Sequence, residues 1–293
     1  FGDGTVQMDR LLRIDFTISN AYAEGTCTFS NIQFVKMSDY EVEEAEMWFD
    51  GVFGSNMVLQ RDEPVTITGG GVANETYTLQ FDGKDYSVTA DENGRWEATL
   101  PQKSAGGNYT ITLSDENDVT VSIENVTFGD VYLFSGQSNM AFKLMQATDP
   151  KGDYDNENLR LFFQADNPQD TPQTSPLNAY WSVSNESTAL ATSAIAWFAS
   201  DIIQRAESVP VGVLVSAVGG TSIQQWMSED VVIGDREDRC KLYNGMIAPL
   251  LPMNIKGIVW YQASADIAAY EMYGSQLEAF FDDLRDKFES PDL

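Results

Sequence analysis

A serine in a short polar turn, placed directly after an apolar run, carries the clearest chemistry in this sequence. Val131, Tyr132, Leu133 and Phe134 are continuous and apolar, the pattern of a strand covered on both faces in a parallel sheet. The run breaks into Ser135-Gly136-Gln137-Ser138-Asn139, and Met140, Phe142, Leu144 and Met145 then resume an apolar pattern. Open α/β sheets hold their ligands just past the C-terminal ends of such strands. A serine hydroxyl held there can act as a nucleophile, with nearby backbone N–H groups cradling a developing oxyanion. The alternative is a Ser/Asn-rich turn in which Gly136 serves only the backbone.

Two more strand ends carry polar or flexible residues. Val209 to Ser216 reads as a buried strand running into Ala217-Val218-Gly219-Gly220-Thr221-Ser222. Paired glycines let a backbone N–H approach a ligand closely, although a tight turn alone would also use them. Ile255 to Tyr261 reads as a third buried strand, with Gln262 at its C-terminal end. What the sequence lacks is a base, for it contains no histidine. A serine hydroxyl needs a general base to become nucleophilic near neutral pH.

The elements that must position these residues alternate after Ser138. Leu159 to Phe163 reads as a strand followed by a proline-containing polar loop. Ser193 to Ile203 has helical spacing, with Ile195, Phe198, Ile202 and Ala199 on the expected buried face. Leu242 to Leu251 reads as a helix that stops near Pro252. Tyr270 to Phe288 reads as a helix with Leu277, Phe280, Phe281, Leu284 and Phe288 in one apolar stripe. Before the serine turn the pattern is β. Residues 11–18 and 25–37 read as strands, and 38–46 as an acidic, solvated linker. Tyr77 to Phe81 and Lys84 to Val88 flank Asp82-Gly83, a hairpin turn pair, and Asp91 to Trp96 repeats that logic. Short strands separated by turn signals at this spacing predict a small β-sandwich.

The block from Gly129 to Met140 resembles the nucleophile block of the sialate O-acetylesterase family, a branch of the SGNH hydrolases. Ser135-Gly136-Gln137-Ser138-Asn139-Met140 is highly specific for it. The Gly219-Gly220 turn and the stretches 242–251 and 255–262 resemble the same family in the same order, as do Asn56 to Arg61 and Gly106-Gly107 before Tyr109. The resemblance covers about 53–293. It implies Ser138 as the nucleophile of a metal-free, cofactor-free sugar deacetylation, Gly220 (Gly219 as close alternative) and Gln262 at the oxyanion hole, and Gln137, Asn139, Gly219 and Thr221 as substrate-binding residues. It also implies that the base comes from an Asp-x-x-His block downstream of 293. The family pattern Gln-Gly-Glu-Ser-Asn is altered here to Gln262-Ala263-Ser264-Ala265-Asp266, with the expected acid replaced by Ser264 and Asp266 two residues off.

Composition narrows the partners. The chain has 293 residues, 43% hydrophobic and 12% aromatic, and 45 acidic against 17 basic side chains give a formal charge of −28. Nucleic acid and anionic membranes call for basic patches and are disfavoured. No apolar run approaches the roughly 20 residues of a membrane helix. With no histidine and only Cys27 and Cys240, a zinc site of the usual kind is not expected; the two cysteines leave a disulfide or buried thiols open. Four sequons, at Asn74, Asn108, Asn125 and Asn185, fit a glycosylated extracellular protein.

The resulting expectation is an α/β fold: an SGNH-type, flavodoxin-like parallel sheet with helices, incomplete, over 129–293. A small β-sandwich with its acidic linker precedes it over 41–128, and the end of a jelly-roll-like module, of the kind that binds carbohydrate, occupies 1–40. The expected function is a secreted or cell-surface carbohydrate O-acetylesterase acting on an acetylated glycan, inactive without the downstream histidine. The rival is a catalytically dead relative serving as an extracellular glycan-binding or structural glycoprotein.

Overall fold

The computed structural model describes residues 47–148, 150, 152–290 and 293. The expected strands at 11–18 and 25–37, the module over 1–40, the linker and Cys27 lie outside the described residues. Residues Glu44–Leu293 form one compact unit.

Its first part is β. Strands β1 (Trp48–Phe49), β3 (Val65–Gly70) and β6 (Arg95–Leu100) form a three-stranded antiparallel sheet. Strands β4 (Thr76–Phe81), β5 (Lys84–Thr89) and β7 (Gly106–Ser114) pair antiparallel and join the first half of β8 (Thr120–Gly136). The short β2 (Val58–Gln60) runs parallel to β8 at Thr127 to Gly129. Asp82 and Gly83 do close the β4–β5 hairpin, both with positive φ (50° and 70°), as a two-residue turn between right-twisted strands demands. The Asp91 turn is different: β5 and β6 belong to separate sheets, and β6 pairs with β3. The Asp91 carboxylate accepts the N–H groups of Asn93 and Arg95 at 2.8 Å each, building a sheet-to-sheet corner in place of a hairpin.

The second half of β8 carries the α/β part. It pairs in parallel with β11 (Val211–Ala217) on one side and β12 (Gly257–Tyr261) on the other. Beyond β11 lie β9 (Asn156–Phe163), parallel, and β10 (Tyr180–Ser184), antiparallel, in a nine-stranded mixed sheet among the described residues. Helices α1 (Ser138–Ala141), α2 (Glu186–Ala191), α3 (Ala194–Glu207) and α4 (Tyr270–Lys287) complete it. The sheet is built as the apolar runs require: Val131, Leu133, Phe134, Val213 and Leu214 are fully buried.

Three local expectations are corrected. Helix α3 buries Ala196, Trp197 and Ser200, leaving Phe198 and Ile202 38% and 67% exposed. The small Ala196 and Ser200 let the helix approach closely, and Trp197 anchors it by donating Nε1–H to Ser184 Oγ at 3.1 Å. Strand β12 is half-exposed, with Val259 at 36% and Tyr261 at 46%, because among the described residues only β8 pairs with it. The helix expected over Leu242 to Leu251 is a wide turn, Tyr243–Ile247, followed by a 3-10 turn, Ala248–Leu250. The α4 stripe packs as its spacing predicts, with Phe280, Leu284 and Phe288 buried.

At the base of the parallel strands Asp130 is fully buried and gathers two cations. Arg61 binds both of its oxygens, at 2.8 and 3.1 Å, and Lys256 Nζ lies 2.9 Å away. Burial pushes this carboxyl up, but the Arg61 and Lys256 hydrogen bonds and charges outweigh it and hold it below the usual carboxylate value. The ion triad ties the Arg61 loop, β8 and the lead-in to β12 together.

Candidate active site

The three strand ends singled out by the sequence meet at one edge of the sheet. β8 and β11 run in register to Gly136 and Ala217, and β12 ends at Tyr261 opposite Gly136. Gly136 leaves the strand at φ +142°, and a Cβ there would collide with the Tyr261 carbonyl, so glycine is required. Gln137 N–H donates to Tyr261 O at 3.0 Å, Val218 N–H donates to Gly136 O at 3.2 Å, and Ala141 N–H closes the first turn of α1 onto Gln137 O at 2.9 Å.

This geometry separates the two serines. Ser135 lies inside β8, 1% exposed, whereas Ser138 is the first residue of α1 and is exposed. Gly219 lies against it: a Cβ on Gly219 would sit 3.6 Å from Ser138 Cβ. Gly220, the next residue, has φ +78° and nothing within 4 Å of its Cβ position. Asn139 is exposed beside Ser138. Ser138, Asn139 and Gly219 therefore share one open surface.

Other residues picked out by the sequence are committed elsewhere. Gln137 is buried and its Oε1 accepts Ala265 N–H at 3.1 Å, pinning the turn after β12. Thr221 is buried; its hydroxyl donates to Val218 O at 2.8 Å and accepts Trp226 Nε1–H at 2.9 Å. The Gln262 amide has two N–H bonds and both are taken, by Thr221 O at 2.8 Å and Asp266 Oδ2 at 2.6 Å. The same Asp266 oxygen accepts Ile223 N–H at 2.9 Å. Asp266 is 5% exposed and clips the loop after β12 to the loop after β11. Ala263 sits at φ +101°, a conformation that strains any residue with a Cβ.

Beside Gly219 a cleft of about 340 Å³ opens between the C-terminal ends of β9 and β11 and the segments at Lys143 and Ser193. Its floor is apolar, with Phe162, Phe163 and Met246; Lys143, Gln164 and Asp166 add polar groups. These three polar residues were not singled out from the sequence. The signal was available, since Gln164 and Asp166 directly follow a recognisable parallel strand and such strand ends line ligand sites. Among the described residues no three His, Cys, Asp or Glu side chains are grouped to hold a metal ion.

The sequons divide. Asn74 and Asn108 are exposed. Asn185 caps α2, its Oδ1 accepting Thr188 N–H at 3.1 Å. Asn125 is half-buried within β8, its Nδ2 donating to Asn56 Oδ1 at 2.7 Å and its Oδ1 accepting from Arg160 at 3.4 Å. That amide is engaged on both its nitrogen and its oxygen in the folded chain. Cys240 is a buried thiol whose Sγ–H donates to Glu229 Oε2 at 3.2 Å.

With the geometry fixed, similarity to known proteins can be set beside it. The family model described as carbohydrate esterase, sialic acid-specific acetylesterase, matches residues 128–293. The sialate O-acetylesterase of Homo sapiens is 25% identical over 280 residues, 82% of this chain and 53% of that protein. The sialate O-acetylesterase of Mus musculus is 24% identical over 305 residues, 82% of this chain and 56% of that protein. A crystal structure of a novel carbohydrate acetylesterase from Xanthomonas citri superposes with a TM-score of 0.78 at 30% identity, covering 83% of this chain and 57% of that one. The chain spans about half the length of the curated relatives it matches.

Proposed function

Because the chain belongs to the sialic acid-specific acetylesterase family of carbohydrate esterases, we propose that it carries the nucleophile half of a carbohydrate O-acetylesterase. Ser138 Oγ attacks the acetyl carbonyl carbon, and the tetrahedral oxyanion is held by the backbone N–H groups of Ser138 and of Gly220 or Gly219. The sugar alcohol leaves, and water then releases acetate from the acetyl-serine. The acetylated sugar occupies the cleft beside Gly219, next to Asn139. The proton acceptor is a histidine from polypeptide outside these 293 residues, which contain none. We read 41–128 as a small β-sandwich scaffold and 129–293 as the SGNH-type part, in a secreted or cell-surface protein with Asn74 and Asn108 open to glycosylation.

The observation that carries this reading is the pairing of an exposed Ser138 at the start of α1 with Gly219 against it. The test compares this chain with a longer form bearing a downstream Asp-x-x-His, both given a small acetyl ester and an O-acetylated sialic acid. Acetate release is expected only from the longer form, and Ser138→Ala abolishes it. Turnover by the 293-residue chain itself, lost in Ser138→Ala, would refute the need for an external base.

A second reading, a catalytically silent glycan-binding relative, is favoured by one observation: both N–H bonds of Gln262 are already used. Gln262 can then serve the oxyanion only if one of those bonds is released. A longer, histidine-bearing form that binds acetylated sugar without releasing acetate would decide for this reading.

A further inference from the structure

The rim of the cleft beside Gly219 carries an aromatic pair that the hydrolytic step does not use. Tyr180 on β10 lies directly opposite Phe163 on β9 in the antiparallel register. Their rings stack with centroids 5.0 Å apart and an interplanar angle of 16°. Phe163 lines the cleft, while Tyr180 is 55% exposed on the last strand of the sheet among the described residues. A lone exposed aromatic would need no explanation. This one is held flat by its cross-strand partner, and that partner is part of the cleft wall. The apolar surface therefore continues from the cleft out to the sheet edge, at the same strand ends that carry Ser138.

We propose that Tyr180, backed by Phe163, is a stacking platform for a sugar ring adjoining the acetylated residue, so that the site binds an oligosaccharide rather than a free monosaccharide. The proposal rests on the reading of the cleft as the acetyl-sugar site. Pyranose rings present a face of C–H groups that packs on a flat aromatic surface, and a ring already fixed by stacking loses little freedom on binding. Lys143, Gln164 and Asp166 along the cleft supply the few polar groups that orient a hydroxylated ligand over such a surface.

The test titrates the 293-residue chain with two probes, O-acetylated N-acetylneuraminic acid and the same O-acetylated sugar carried in sialyllactose. The trisaccharide is expected to bind more tightly. Tyr180→Ala weakens it about fivefold to tenfold and leaves the monosaccharide within about twofold. Tyr180→Phe retains the parent affinity, because the ring and not the hydroxyl carries the contact. Unchanged trisaccharide binding in Tyr180→Ala, or an equal loss for both sugars, overturns the platform while leaving the esterase reading intact. Failure of the parent chain to bind either sugar overturns both.

Discussion

Asp266 Oδ2 lies 2.6 Å from Gln262 Nε2 and 2.9 Å from the Ile223 N–H, so one carboxylate oxygen joins the loops that follow β11 and β12. The arrangement leaves Gln262 no N–H free for a ligand.

Replacing Asp266 by Ala strands a buried backbone N–H and a buried amide N–H, each of which loses a charged acceptor. The expected cost is about 2–3 kcal/mol, read as a lower urea midpoint. Hydrogen exchange at the Ile223 amide should accelerate as well. A loss under about 0.5 kcal/mol would mean that the clip does not hold the loops.

The two glycines after β11 make different predictions. Gly220 has φ +78°, so Gly220→Ala should cost about 1 kcal/mol through backbone strain. No positive φ constrains Gly219, whose new methyl would stand 3.6 Å from Ser138 Cβ. Gly219→Ala should leave stability nearly unchanged. In the longer, histidine-bearing form it should lower kcat/KM more than Gly220→Ala does. The reverse order in kcat/KM would mean that a methyl at Gly219 does not obstruct Ser138.

Asp130 gives a pH signature. Its folded value is depressed by Arg61 and Lys256 against the opposing effect of burial, so its contribution to stability is complete above the unfolded value of about 3.9. It is lost as pH falls through the lower, folded value. The stability gap between the parent and Asp130→Asn should therefore be widest near neutrality and shrink below about pH 4. Arg61→Met, which leaves the buried carboxylate with Lys256 and the long Gln60 Nε2 bond at 3.4 Å, should cost about 3 kcal/mol at neutral pH. A gap that stays constant from neutrality down through acid would remove Asp130 from the acid response.

Cys240 should be chemically silent. Burial, then the hydrogen bond to Glu229, pushes its thiol up to about 12, and the thiolate is the reactive form. Alkylation mapped to the Cys240 peptide at mildly alkaline pH should proceed only as fast as the chain unfolds. Rapid labelling of the native protein would contradict this burial.

What the sequence made legible is what depends on near neighbours. The Asp82-Gly83 turn, the apolar run of β8 and the stripe of α4 follow from period and turn chemistry, and each is found where its residues predict. The face that α3 buries depends on what lies across from it. Trp197 inserts because Ser184 and Tyr154 receive it, and no period within Ser193 to Ile203 reports those partners. Strand β12 has the composition of a buried strand, and only the pairing around it shows that it is half-open. The candidate site divides in the same way: the three strand ends were readable, whereas the partners of Gln137 and Asn125, and the Thr221 carbonyl that takes one Gln262 N–H, come from segments distant in the chain. The cleft residues Gln164 and Asp166 follow a recognisable strand end, but that they share one cleft with Gly219 required the strand order to be known.

The single strand from Thr120 to Gly136 has a consequence for how such proteins can be assembled from parts. At about 3.3 Å per residue, its 17 residues could reach at most roughly 56 Å, and the positive φ of Asn125 bends it short of that. Boundaries between exchangeable modules normally fall in exposed linkers, yet the family match begins at residue 128, in the middle of this strand. A gene fusion or shuffling junction placed there would sever the β7 pairing from the β11 and β12 pairings. A graft that carries Ser138 into another protein is therefore expected to need β8 whole.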